Sequence, residues 1–213
     1  MSSSQSDWDE KYRLTSAAQP AEPASIVLEL LPLLPRGRAL DVACGTGRHS
    51  LLLAGRGQHV TAVDWSGAGL EVLEARARAE GIPTRRKSSA EQIVKHLHSG
   101  IDLVHADLER LQVPENTFGL ILCVQYLQRS FFSQLQRALR AGGVLLFETF
   151  TQAQLEFNGG PRNPEYLLKS GELRNAFPEL RVLFYRELRA GQGIASLMAQ
   201  KPQNRDGSNI AIQ

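Results

Sequence analysis

The stretch Arg38-Ala-Leu-Asp-Val-Ala-Cys-Gly-Thr-Gly-Arg-His-Ser-Leu-Leu-Leu53 decides the fold. An apolar run over Ala39–Ala43 reads as a strand, Gly45 and Gly47 mark a tight turn, and Arg48–Ala54 reads as the start of a helix. A strand, a glycine turn and a helix N-terminus together bring backbone N–H groups close to a bound ligand. Glycine at 45 and 47 admits positive φ and leaves no side chain between backbone and ligand. The loop is therefore expected to hold a nucleotide-like molecule.

A dinucleotide site calls for G-x-G-x-x-G or G-x-G-x-x-A, whose third small residue lets helix and strand pack closely. Here Gly45-Thr-Gly-Arg-His-Ser50 puts a serine in that place. Asp41 lies four residues before Gly45. A carboxylate there sits badly beside a pyrophosphate and well beside a cationic amino group, such as that of the methionine part of S-adenosylmethionine. No Gly-Lys-Ser/Thr follows the loop, which excludes a Walker phosphate site.

The order of the segments resembles the class I S-adenosylmethionine-dependent methyltransferases along most of the chain. Asp41 to Gly47 is similar to that family's first motif, D/E-x-x-x-G-x-G, with Ala43 where many members carry another glycine. His59-Val-Thr-Ala-Val-Asp64 reads as a second strand that closes on an acid 19 positions after Gly45. The resemblance implies that Asp64 binds the ribose hydroxyls, for which a carboxylate is a sound double acceptor. It also implies Trp65 against the adenine face, with Ser66 beside it. Ile101-Asp-Leu-Val-His-Ala-Asp107-Leu108 resembles the third strand, whose closing acid meets the adenine amino group. Phe118-Gly-Leu-Ile-Leu-Cys-Val124 resembles the fourth, and Leu139-Arg-Ala-Gly-Gly-Val-Leu-Leu-Phe147 the helix-turn-strand after it. The implied cofactor set is Asp41, Ala43, Cys44, Gly45, Gly47, Arg48, Asp64, Trp65, Ser66, Asp107, Leu108, Cys123 and Gln125, with no metal. Taken alone, Asp107 reads equally as a turn former and Trp65 as a packed aromatic. Two acids after two parallel strands fall together in the crevice at the strands' carboxyl ends.

At 213 residues the chain suits one domain with a short appendage. A methyltransferase domain is expected over 21–200, after a flexible segment at 1–20 and before a disordered tail at 201–213. Lys and Arg number 24 against 22 Asp and Glu, a net charge of +2 that gives no reason to invoke nucleic acid. The two cysteines, Cys44 and Cys123, make no disulfide framework and suit a reducing cytoplasm. No apolar run approaches the roughly 18 residues that span a bilayer, and the first residues lack the character of a secretory signal. A monomer or homodimer is equally compatible with this composition.

Within the first 20 residues, Trp8 and Tyr12 lie one helical turn apart and can share a face. The resemblance implies a helix that folds over the cofactor; a loosely docked tail is the alternative. Ser25–Leu34 has helical spacing between Pro23 and Pro35. Further helices are expected over Gly67–Glu80 and Ser130–Arg140, and strands over His59–Val63, Ile101–His105, Phe118–Val124 and Gly143–Phe150. Continuous apolar strands alternating with helices argue for an α/β fold, a doubly wound, mostly parallel sheet of seven strands. Arg181–Leu188 and Ile194–Ala199, joined by a glycine turn, read as a closing antiparallel hairpin. That ending fits a class I methyltransferase and not a nicotinamide dehydrogenase. Residues 83–100 exceed the usual link, and Ser89–His98 reads as an extra helix. Its His96 and His98 point in different directions on a helix, a poor metal pair.

Methyl transfer from a sulfonium is an in-line displacement, and the activated group comes with the cofactor. A general base is needed only if the acceptor arrives protonated; Glu148 is the one candidate, if burial raises its pKa. The acceptor pocket is expected from Gln125–Arg129, Glu148–Thr151 and Asn158–Tyr166, whose makeup resembles small bacterial tellurite-resistance-type methyltransferases. Tyr126, Arg129, Glu148, Arg162 and Tyr166 are the candidate contacts to a small-molecule acceptor: a thiol, an amine, a hydroxyl or carboxylate, or an oxyanion. Arg129 and Arg162 either converge on an anion or pair with Glu148 and Glu156 as structural bridges. The Pro-Pro-aromatic step of amino-methylating relatives is absent, since Val124-Gln-Tyr-Leu127 stands there. A non-catalytic S-adenosylmethionine-binding module is the rival reading.

Overall fold

A computed structural model of the chain describes residues 5–15, 22–87 and 99–203. Eight strands form one sheet: β1 Arg38–Val42, β2 His59–Asp64, β3 Thr84–Lys87, β4 Gly100–His105, β5 Phe118–Val124, β6 Leu139–Phe150, β7 Arg181–Arg189 and β8 Gly193–Gln200. Their order is β3-β4-β2-β1-β5-β6-β8-β7. The first six are parallel; β8 runs antiparallel to both β6 and β7. The expected hairpin is present, and β8, the later strand, is the one inserted beside β6.

The sheet has one strand more than the seven expected. The added β3 is Thr-Arg-Arg-Lys, with no apolar residue to announce it. It pairs from Thr84↔Ile101 to Lys87↔Val104 at the sheet's edge, where charged side chains face water and discourage further pairing. Part of the segment expected as a long link is thus sheet. The helix expected over 89–98, with His96 and His98, lies outside the described residues.

Helices cover both faces. The α2 (Ser25–Leu30), α3 (Arg48–Gly55) and α4 (Gly67–Ala79) helices bury Ile26, Leu30, Leu53, Leu70 and Leu73 against Val60, Ile101, Leu120 and Leu146. On the other face, α5 (Phe132–Ala138) and α6 (Glu172–Asn175) enclose a core containing Phe118, Phe131, Leu135, Phe147 and Phe177. Ahead of these, Gln5–Thr15 forms α1, which lies against α4. Lys201 belongs to the ordered body, not to a loose tail. Its backbone N–H donates to the carbonyl of Gly143 at 2.9 Å and its ammonium to that of Leu139 at 2.8 Å.

Candidate functional site

Strand order reverses at β1: β2 and β4 follow on one side, β5 and β6 on the other. Ligands of open parallel sheets bind beyond the carboxyl ends of the strands at such a switch point. The glycine loop stands there. Gly45 and Gly47 have φ of +56° and +80°, and the Gly47 N–H closes a turn on the carbonyl of Cys44 at 2.9 Å. The two glycines serve different ends. A Cβ on Gly47 would stand 2.1 Å from Leu73 Cδ1, so the space it frees belongs to helix packing, which corrects the sequence expectation that it clears room for a ligand. A Cβ on Gly45 would stand 2.7 Å from Tyr12 Oη, so the phenol of the first helix occupies the space over that glycine.

Asp64 closes β2 beside this loop. Its Oδ2 accepts from the Gly45 N–H at 2.6 Å and its Oδ1 from the Ser66 N–H at 2.8 Å. Each oxygen keeps acceptor capacity for a vicinal diol. Burial holds this carboxyl above its ordinary pKa, against those backbone donors. Ser66 caps α4 by accepting from the Gly69 N–H at 3.1 Å. Asp41 is turned under α3, only 1% exposed, and accepts from Ser50 Oγ at 2.6 Å. Burial raises its pKa to about 7. Cys44 and Cys123 are buried thiols whose pKa burial raises, which leaves them chemically quiet.

The α1 helix closes over this crevice. Asp9 Oδ1 accepts from Ser66 Oγ at 2.5 Å and from the Ala68 N–H at 3.2 Å, a second cap on α4 supplied by α1. Trp8 and Tyr12 share a face, with ring centroids 5.7 Å apart. His105, at the end of β4, bonds the carbonyl of Trp65 at 2.9 Å and the side chain of Gln5 at 3.1 Å. Asp9 and His105 escaped sequence reasoning. Nothing local marks them, because their partners lie 57 and 40 residues away.

Of the residues expected around adenine, Trp65 is 37% exposed at the rim of β2. Asp107 accepts from the Glu109 N–H at 2.9 Å, the turn-forming role that was its alternative. The Leu108 side chain packs into the core and offers the crevice only backbone. Across the switch point, Ala43 and Gln125 hold φ of +54° and +60°, and Arg48 donates to Gln125 Oε1 at 2.9 Å.

The expected acceptor residues do not all converge. Arg129 is consumed by Glu172 (2.5 and 3.1 Å) and by the carbonyls of Glu165 and Leu167. Arg162 donates to the carbonyls of Leu155 and Phe157. Both readings of this pair need correction: the two arginines fasten the chain over residues 152–172, and Glu156 pairs with Arg189 instead. Glu148 is 7% exposed and accepts from Ser196 Oγ at 2.6 Å, with its pKa raised by burial. The Tyr126 hydroxyl donates to Gln128, and Tyr166 is half-buried in the turn Pro164–Tyr166. Among the described residues no cluster could hold a metal, and no helix is long and apolar enough to cross a membrane.

Comparison with known proteins agrees with this geometry. Residues 40–147 match a family described as a methyltransferase domain. A malonyl-[acyl-carrier protein] O-methyltransferase of Paenibacillus is 30% identical over 153 residues, 65% of this chain and 50% of that protein. The chain thus spans about half the length of this curated relative. Among solved structures, TehB of Haemophilus influenzae superposes with a TM-score of 0.68 at 17% identity, covering 91% of this chain and 67% of that one. An S-adenosylmethionine-dependent methyltransferase of Mesorhizobium loti gives 0.63 at 17%, covering 84% and 98%.

Proposed function

The chain belongs to the methyltransferase-domain family, whose cofactor is S-adenosylmethionine, and we propose that it transfers the cofactor's methyl group to a small-molecule acceptor. The observation that carries this is Asp64, an acid at the end of β2 that is hydrogen-bonded to the glycine loop and keeps acceptor capacity toward the crevice. Asp64 receives the ribose hydroxyls, and the cofactor lies on the Gly45 backbone in the space that the Tyr12 phenol of α1 fills in this structure.

The bound cofactor supplies an electrophilic methyl carbon on sulfur, and the acceptor's lone pair displaces S-adenosylhomocysteine. The chain's part is to exclude water and hold the acceptor about 3–3.5 Å from that carbon on the sulfur axis. The acceptor approaches over the ends of β5 and β6, past Gln125 and Tyr126. Glu148, its carboxyl pKa raised by burial while it accepts from Ser196 Oγ, is the general-base candidate for an acceptor that arrives protonated; an acceptor that arrives as a ready nucleophile needs none. Carboxylates and other oxygen nucleophiles come first in a screen, because the Paenibacillus relative is an O-methyltransferase.

Calorimetric titration with S-adenosylmethionine, S-adenosylhomocysteine and NAD in parallel tests the reading. Binding of the first two and not of NAD is expected. Asp64→Ala is expected to weaken both by about 1–3 kcal/mol, the loss of hydrogen bonds to a charged group. Undiminished affinity in that variant removes the ribose assignment.

A further inference from the structure

Arg48 has partners that do not match its charge. It is half-buried at the first turn of α3, yet its guanidinium donates to two neutral acceptors, Gln125 Oε1 at 2.9 Å and the carbonyl of Glu22 at 3.3 Å. Asp41 and Glu148 are near enough to favour its charged form, but neither forms an ion pair with it. Arg129 and Arg189, by contrast, each rest on a carboxylate at 2.5 Å. A partly desolvated guanidinium without a counter-ion costs free energy that an anionic ligand recovers.

The surroundings point to where that anion sits. Arg48 follows Gly47 directly, and the Tyr12 hydroxyl standing over Gly45 feels both Asp64 and Arg48. Gln125 holds a left-handed backbone at φ +60°, strained for a residue with a side chain, and its N–H donates to the carbonyl of Glu148 at 2.7 Å. That conformation keeps its amide on Arg48 at the mouth of the crevice.

We propose that Arg48, propped by Gln125, receives the α-carboxylate of the cofactor's methionine part while Asp64 holds the ribose. This rests on the cofactor reading above and adds a second, charge-selective anchor to it. Asp41, buried under α3 with its carboxyl bonded to Ser50, is then not the receiver of the cofactor's amino group.

The test compares S-adenosylhomocysteine with its decarboxylated analogue, S-adenosyl-3-thiopropylamine, by calorimetry on the wild type, Arg48→Gln and Arg48→Lys. The two ligands differ only in the carboxylate. The wild type is expected to prefer S-adenosylhomocysteine by about tenfold to a hundredfold, the worth of a charge-assisted bond. Arg48→Gln is expected to erase that preference by losing affinity for S-adenosylhomocysteine alone. Arg48→Lys retains part of the preference, and carries the test if the glutamine variant does not fold. Equal affinities in the wild type overturn the proposal. So does an equal loss for both ligands in Arg48→Gln, which is what a mere brace between residue 22 and β5 produces. A wild type that binds neither ligand overturns the cofactor reading itself.

Discussion

Asp41 and His49 flank the start of α3 and pull the pH dependence of stability in opposite directions. Burial raises Asp41 to about 7, above the range of an unfolded aspartate, so its contribution is most favourable below about pH 4 and is lost as pH rises toward 7. Burial, helped by Arg48, lowers His49 to about 3, and its neutral Nε2 accepts from the Ala24 N–H at 3.1 Å. Its contribution is full above about pH 6.5 and is lost as pH falls from there. Asp41→Asn therefore raises the melting temperature at pH 8, because it removes a buried charge whose cost is about 1.4 kcal/mol for each tenfold change in proton affinity on folding. It also leaves the His49 slope exposed, so the variant loses stability steadily from pH 6.5 to 4; melts at pH 4, 6.5 and 8 check both. The placement of Asp64 at a strand's end and of Gly45 in the glycine turn was legible in the sequence, because a strand and its turn carry it locally. The sequence did not reveal that Arg129 would choose Glu172, 43 residues away, over Glu148. A long cation's partner is settled by how distant loops pack, and a single chain of letters does not hold that information.

Helix α1 is attached at the crevice by the Asp9 carboxylate, the Tyr12 phenol and the Gln5 side chain on His105, among other contacts. Asp9 is held below its ordinary pKa chiefly by the hydrogen bond from Ser66, so this attachment is complete above about pH 4 and fails as the carboxyl protonates below that. Asp9→Ala removes a helix cap worth about 1 kcal/mol, which is about fivefold in the population of lifted helix. Amide exchange over residues 5–15 is expected to quicken, and stopped-flow association of S-adenosylhomocysteine to speed up by a similar factor. Unchanged exchange means that Asp9 does not fasten the helix. The spacing of Trp8 and Tyr12 made the shared face of α1 readable. The polar β3 was not readable, because an edge strand takes its stability from pairing with β4 and shows no apolar alternation of its own.

The whole molecule is a sheet between two apolar layers, and the layer under α5 turns on three aromatic rings. Phe147 meets Phe132 edge-on at 5.6 Å and Phe177 at 5.9 Å, and it is 1% exposed. Phe147→Ala is expected to cost about 3–5 kcal/mol, read from the urea midpoint at unchanged slope. The parallel centre of the sheet was readable from its unbroken apolar strands. The closing β7–β8 hairpin was readable from its glycine turn.

Asp64 is 6% exposed and Tyr12 of the 11-residue α1 stands over the neighbouring Gly45, so the proposed cofactor placement requires α1 to move when spent cofactor is exchanged for fresh. Where methyl transfer outpaces that motion, turnover is expected to be capped by the rate at which α1 lifts. Warming then accelerates catalysis with the steep temperature dependence of a local unfolding step, well above the shallow one of diffusion.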